Sequence, residues 1–299
     1  MIRPWLDMIS RTSSQVFRGL STHLPVFEFI YLCIWFMRTE LTQASPDGQR
    51  HEVLQWLERT NPSVLHNLAF KKHQRYTSAW LLKSPEWINW LHRTDSDKFL
   101  WIHGIPGAGK TVLASFIIEQ LKQICNSSTE LGYAFYYCHH SNKQDEAGPL
   151  LRWAISQLCR QLKWVPSELK ELYDLGLDPS IHELESTLEA VLQRFTVCYI
   201  VIDAVDESDP RDDLISMIQT LVTDERFRNL RILATSRQYS DIERIFLEIS
   251  TVISMANPLV EQDIREFVHA RLSSSRRMKR WGDLLGQIED ILVAKAQGM

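Results

Sequence analysis

The chain has 299 residues, 44% of them hydrophobic and 23% charged, with a formal net charge of -4. That length holds one large domain or two ordinary ones, in a composition typical of soluble globular proteins. The acidic balance excludes the basic surplus of a nucleic-acid-binding domain. Five scattered cysteines (Cys33, Cys125, Cys138, Cys159, Cys198) at no metal or redox spacing read as reduced thiols of a cytoplasmic protein.

The first 50 residues read as a helical, aromatic-rich leader. Within it, residues 29–37 (FIYLCIWFM) are unbroken apolar. This run is shorter than the roughly 20 residues that cross a bilayer, and no small-residue cleavage site follows it. It reads as a buried or partner-binding helix, with membrane-surface contact through residues 24–37 as the alternative. The turn cluster QASPDGQR (43–50) marks a boundary. Val53, Leu54 and Leu57 then sit at helical spacing, residues 60–78 look mostly irregular, and Ser84-Pro85-Glu86 opens another helix. The tryptophans near 80–101 have the spacing of core packing.

From residue 98 the pattern changes. Short apolar runs at 99–103, 131–138, 197–202 and 230–235 predict strands. Amphipathic stretches near 110–124, 147–163, 183–195, 212–223 and 239–247 predict helices. Strand–helix alternation of this kind predicts a mostly parallel sheet covered on both faces. Further helices are expected near Asp263 and over 283–297.

Residues Gly104, Ile105, Pro106, Gly107, Ala108, Gly109, Lys110 and Thr111 fit G-x-x-x-x-G-K-[ST] at every fixed position. Such a loop turns successive backbone N–H groups toward one polyphosphate, and the following helix adds its positive end. Lys110 is expected to reach the β- and γ-phosphates, and Thr111 to offer its hydroxyl to Mg²⁺. The run YIVIDAVDES (199–208) ends a hydrophobic strand in Asp203, the expected second Mg²⁺ contact. Glu207 is the candidate base, and Asp206 a further metal or water contact. LRILATSR (230–237) brings Arg237 to a strand end, where it can sense a γ-phosphate. Cys138-His139-His140 has no second Cys/His pair at zinc spacing and reads as a strand-end loop. The basic run 276–280 reads as a solvated loop.

With these segments in hand, residues 65–299 resemble a NACHT-type signal-transduction ATPase (STAND), nearest the fungal proteins that place this module ahead of ankyrin or WD40 repeats. The resemblance is carried by TSAWLLKSPEWINWL, KFLWIHGIPGAGKTVLAS, YYCHHSNKQDEAGPLLRWAISQLCRQL, YIVIDAVDES, LRILATSR and ANPLVEQDIREFV. It implies an α/β P-loop NTPase core over 98–256. A helical leader (1–50) and a helical segment (51–97) precede the core, and a helical extension (257–299) follows it. It also implies a cytoplasmic, NLR-like signalling switch that binds ATP or GTP with Mg²⁺, hydrolyses it slowly, and works through protein partners or self-association. Self/non-self recognition and regulated cell death are the associated processes. A free-standing P-loop NTPase or kinase, and a non-binding scaffold acting through the N-terminal helices, are the alternatives. Two positions depart from the family's glycines, Ala204 after the strand-end acid and Ser78 after Thr77; both residues are small, so binding is expected to survive. Family members continue past a segment like ILVAKAQGM into a winged-helix region and repeats, which sets the expectation of a fragment, a shortened product or a small NTPase acting with partners.

Overall fold

The computed structural model describes residues 46–74, 77–92, 98–274, 282 and 284–296. The leader's expected helix, the apolar run 29–37 and the basic run 276–280 lie outside the described residues. The chain divides into two units, 1–52 and 53–299. Of the first, residues 46–52 are described, and they begin helix α1 (Pro46–Leu57). The stretch PDGQR, expected as a turn, is therefore helical. Proline suits a first helical position because it has no N–H to leave unpaired, and Asp47 follows in the first turn.

In the second unit, five strands form one parallel sheet in the order β2-β3-β4-β1-β5. They are β1 (Phe99–His103), β2 (Leu131–Tyr137), β3 (Val197–Asp203), β4 (Leu230–Ser236) and β5 (Thr251–Ser254). Their side chains alternate between two cores. Phe99, Trp101, Tyr136, Ile200, Ile202 and Ile232 face one side; Leu100, Ile102, Phe135, Tyr137, Val201 and Leu233 face the other. A sheet buried on both faces needs apolar side chains in both phases, and these continuous apolar runs supply them.

The first core is closed by α5 (Ala147–Leu162), α7 (Ile181–Leu192), α8 (Asp212–Thr223) and α9 (Ser240–Ile249). The second is closed by α2 (Ser63–Lys72), α3 (Pro85–His92) and α4 (Lys110–Cys125). The remaining helices are α6 (Ser167–Asp174), α10 (Pro258–Ser274) and α11 (Leu285–Ala296). Trp87, Trp90 and Trp101 are buried, as their spacing implies. The Trp90 indole N–H donates to the Ile232 carbonyl at 2.8 Å, which satisfies its one polar atom inside the core.

Besides the start of α1, four elements differ from the sequence expectation, one of them α6, which lies in a stretch where no helix was expected. Helix α2 occupies the stretch read as irregular. Its buried face is His66 and Ala69 rather than an aliphatic stripe, and Val64 and Leu68 are exposed. Asn61-Pro62, a turn signal, here starts the helix: the Asn61 side chain accepts from Ser63 N at 3.0 Å. Strand β5 was not foreseen; it is four residues long at the sheet edge. Helix α10 begins at Pro258, five residues before Asp263, where Asn257 Oδ1 accepts from the N–H groups of Leu259 and Val260 at 3.0 and 3.1 Å.

Phe246 of α9 is fully buried and meets Phe99 edge-on at a ring separation of 4.8 Å and Trp101 at 5.7 Å. Truncating an aromatic in such a site loses its transfer free energy and leaves a cavity. Phe246→Ala is expected to cost about 3–5 kcal/mol, read as a shift of the urea midpoint with an unchanged slope.

Candidate nucleotide-binding site

The C-terminal ends of parallel strands lie on one rim of the sheet, and the strand order fixes what meets there. One row across the sheet pairs Tyr137 with Asp203, and Thr235 with Ile102. Strand β4 thus stands between β1, which carries the glycine loop, and β3, which ends in Asp203. Thr235 bridges this gap. Its hydroxyl donates to Asp203 Oδ1 at 2.6 Å and accepts from Ala204 N at 3.0 Å.

The loop 104–109 joins β1 to α4. Gly107 and Gly109 have φ of 83° and 86°, a left-handed conformation that a Cβ penalises. Gly109 is also the residue on which α4 starts, so the loop's turn and the helix's free N–H groups arise together. Lys110 Nζ donates to the carbonyls of Gly104 (2.7 Å) and Ile105 (3.0 Å). Burial lowers the lysine's pKa, and the nearby carboxylates of Asp206 and Asp203 oppose that shift. The Thr111 hydroxyl is near enough to Asp203 to lower its pKa. Residues 110, 111 and 203, separated by over 90 positions in the chain, therefore share one site.

Asp203 is 2% exposed, and burial pushes its carboxyl up to about 6 despite the hydroxyls of Thr235 and Thr111. A buried acid of this kind, beside a threonine hydroxyl, gives an all-oxygen donor set suited to a hard divalent cation. Asp206 is held by Arg237. Its Oδ1 accepts from Arg237 N at 2.9 Å, and Oδ2 lies 3.2 Å from Arg237 Nε. Arg211 braces the same turn by donating to the Asp206 carbonyl (3.0 Å) and to Asp241 (2.6 Å). Glu207 closes the short helical turn Val205–Glu207, and its Oε2 is 3.3 Å from His140 Nδ1.

Two cavities flank the loop. One, of about 590 Å³, is lined by Thr77, Trp80, Gly109, Val112, Met255 and Phe267 among others. The other, of about 460 Å³, lies between Pro106, Arg237, Tyr239 and Met255. Apart from Gly107, Ala108 and Gly109, sequence reasoning did not find the residues of the first, because they come from separate segments of the chain. Helix α10 is tied to this side through Asp263, whose carboxylate accepts from Ser78 N.

The two departures from the family glycines take on a different meaning here. Ser78 and Ala204 have φ of 69° and 58°. Their small size is thus beside the point; the backbone conformation is what favours glycine there. Ala204→Gly is expected to raise stability by up to about 1 kcal/mol, because relief of left-handed strain exceeds the added chain entropy. Thermal unfolding at fixed pH reads this.

Asp203 gives a pH prediction. Its folded pKa of about 6 lies above the ordinary value of 3.8. A raised carboxylate favours folding below 3.8 and loses that contribution as pH rises through 6. At neutral pH the ionised, metal-free site costs up to about 3 kcal/mol. Asp203→Asn is therefore expected to stabilise the chain in chelator at pH 7.5, with the gain vanishing by pH 4. Urea unfolding at the two pH values checks it.

Comparison with known proteins gives the same picture. The family described as Nephrocystin 3, N-terminal, matches residues 76–237. The vegetative incompatibility protein HET-E-1 of Podospora anserina is 26% identical over 239 residues, covering 73% of this chain and 17% of that protein. The chain thus spans about a sixth of that relative's length. Among solved structures, Cdc6p of Pyrobaculum aerophilum aligns with a TM-score of 0.44 at 15% identity, over 71% of this chain and 53% of its own. ORC2 of Aeropyrum pernix aligns with a TM-score of 0.42 at 13% identity, over 68% and 53%. At these scores the fold assignment rests on the sheet and the glycine loop themselves. Taken with the site, the family match makes the chain a member of the Nephrocystin 3, N-terminal family, with the NACHT-like P-loop NTPase fold that its motifs implied.

Proposed function

We propose that the chain binds a purine nucleoside triphosphate with Mg²⁺ and uses it as a slow switch in signalling. The observation that carries this reading is the meeting of Lys110, Thr111 and Asp203 at the rim of β1, β4 and β3. Backbone N–H groups from Gly107 to Thr111 cradle the phosphates, and Lys110 turns from the Gly104 and Ile105 carbonyls to the β- and γ-phosphates. Thr111 and Asp203 hold Mg²⁺, which when bound offsets phosphate charge. The 590 Å³ cavity is of ordinary size for a small ligand, and Trp80, Val112 and Phe267 give it apolar walls for a base. Glu207 polarises the attacking water, while Asp206 keeps Arg237 at the γ-phosphate side.

Switching needs a ligand that binds two conformations unequally. The Arg237–Asp206 pair supplies one such difference, since a γ-phosphate competes with Asp206 for the guanidinium. The α10 tie between Asp263 and Ser78 supplies another, because it lies on the wall of the cavity assigned to the base. Turnover is slow where no arginine arrives from a partner, an absence worth about 10³–10⁵ in rate. The similarity to a vegetative incompatibility protein supports a part in self/non-self recognition, with self-association as the output. The compartment proposed is the cytoplasm; among the described residues no helix is long and apolar enough to cross a membrane.

Mass spectrometry of nucleotide released from purified protein is expected to find a purine di- or triphosphate, and identifies the base. Lys110→Ala should weaken nucleotide affinity at least tenfold with an unchanged melting curve. Equal titrations for variant and parent would remove the phosphate-binding role. Glu207→Gln should retain binding and lose about 10²-fold or more in turnover; unchanged turnover would take Glu207 out of the mechanism.

A further inference from the structure

A second group of ligating atoms lies just outside the phosphate site. His139 and His140 follow β2 by two and three residues, and Glu207 follows β3 by four. The two strands are neighbours in register, with Tyr137 opposite Asp203, so their outgoing loops run side by side. One ligand atom from each of His139, His140 and Glu207 lies within 4.8 Å of the others.

The loops are laced together. Cys138 N donates to the Asp203 carbonyl at 3.0 Å, extending the strand pairing by one step. Further on, Glu146 N donates to Ser208 Oγ at 3.1 Å, and Asp209 N to the Gln144 carbonyl at 3.4 Å. Glu146 is fully buried. Its carboxylate accepts from Tyr136 Oη and Asn142 Nδ2, both at 2.6 Å, and so fastens the histidine loop to the sheet. The backbones that carry the three side chains are thereby fixed, while the side chains reach solvent: His140 is 75% exposed and Glu207 28%.

We propose that His139, His140 and Glu207 form a binding site for a borderline divalent transition ion of the Zn²⁺ class. Two imidazoles and one carboxylate are an established zinc donor set, with an open position left for water. Ligand atoms around a tetrahedral zinc are roughly 3.3 Å apart. The His140–Glu207 pair is already at 3.3 Å, and rotation of exposed side chains brings in the third atom. His139 Nδ1 accepts from Ser141 N at 3.2 Å and lies 2.6 Å from Ser141 Oγ, contacts that hold the ring beside the other two ligands. Cys138 takes no part, for its thiol is packed into the sheet core. Imidazole nitrogens also separate this site from the oxygen donors of Thr111 and Asp203. Mg²⁺ prefers the second set, and zinc, nickel or copper the first.

The site has a consequence for the proposed function, and this part rests on that reading. A metal on Glu207 withdraws the carboxylate from the water beside the γ-phosphate. Zinc-class ions then act as inhibitors of turnover that Mg²⁺ does not displace.

The test is a Zn²⁺ titration of untagged, nucleotide-free protein in excess Mg²⁺, by calorimetry and by competition with a chromogenic chelator. One ion per chain at micromolar affinity is expected. The double variant His139→Asn/His140→Asn and the single variant Glu207→Gln should each lose at least tenfold in zinc affinity. Retained nucleotide binding by the variants shows that they are folded. Zinc affinity equal in parent and double variant overturns the site, and zinc affinity unaffected by Glu207→Gln overturns its link to turnover. A parent chain that binds zinc but no nucleotide leaves the metal site standing and refutes the proposed function instead.

Discussion

The site depends on one buried carboxylate being held ionisable at the end of a strand. Asp203 lies in the sheet's last row, sealed from water, with Thr235 donating from the adjacent strand and the Thr111 hydroxyl nearby at the start of α4. Burial alone would favour its neutral form, and the two hydroxyls only partly offset that. The metal-free site is thus built in an unfavourable electrostatic state that a cation relieves. Instability of this kind is typical of functional groups, because the interaction that removes it is the ligand's. The strand order makes it necessary. With β4 between the glycine loop and the acidic strand, β1 and β3 do not pair, and Thr235 bridges the gap.

Much of this architecture was legible because its parts obey short-range rules. Strands β1 to β4 are apolar runs in both phases, and α5, α7, α8 and α9 have apolar faces at helical spacing. The elements that escaped do not. Helix α2 docks through His66, whose ring nitrogens lie 3.1 Å from Tyr137 Oη and 2.7 Å from Glu119. A polar residue buried by specific partners leaves no hydrophobic periodicity to read. Strand β5 is short and partly exposed, and it exists because β1 offers it a hydrogen-bonding edge. Such an element is a product of tertiary pairing, not of local preference.

The site was legible to a similar degree. The glycine loop is contiguous, so its residues could be named with their roles. That Lys110 and Asp203 converge needs the sheet register, and that Asp206 clasps Arg237 needs the turn after β3. The same turn explains Ala204. Side-chain size is visible in a sequence and backbone φ is not, so a small residue at a glycine position looks harmless until its left-handed conformation is known. Ser78 shows the same thing on the opposite wall, where the strained residue presents its N–H to Asp263. Strained backbone at these places adjoins the proposed nucleotide site and the contact with α10.

The residues after β2 and β3 extend this argument. Parallel strands deliver their following loops to one rim, so residues far apart in sequence become neighbours without any motif to announce them. His139-His140 lacked a third ligand only because Glu207 lies on the next strand's loop. Glu146 and Ser208 lace these loops together. Asp206, Glu207 and Ser208 are consecutive, and they face Arg237, His140 and Glu146 respectively. A three-residue turn thus joins Arg237, the histidine loop and the buried glutamate. Under the proposed function, phosphate that draws Arg237 away releases Asp206, and the turn is a short physical link from there to the histidine loop.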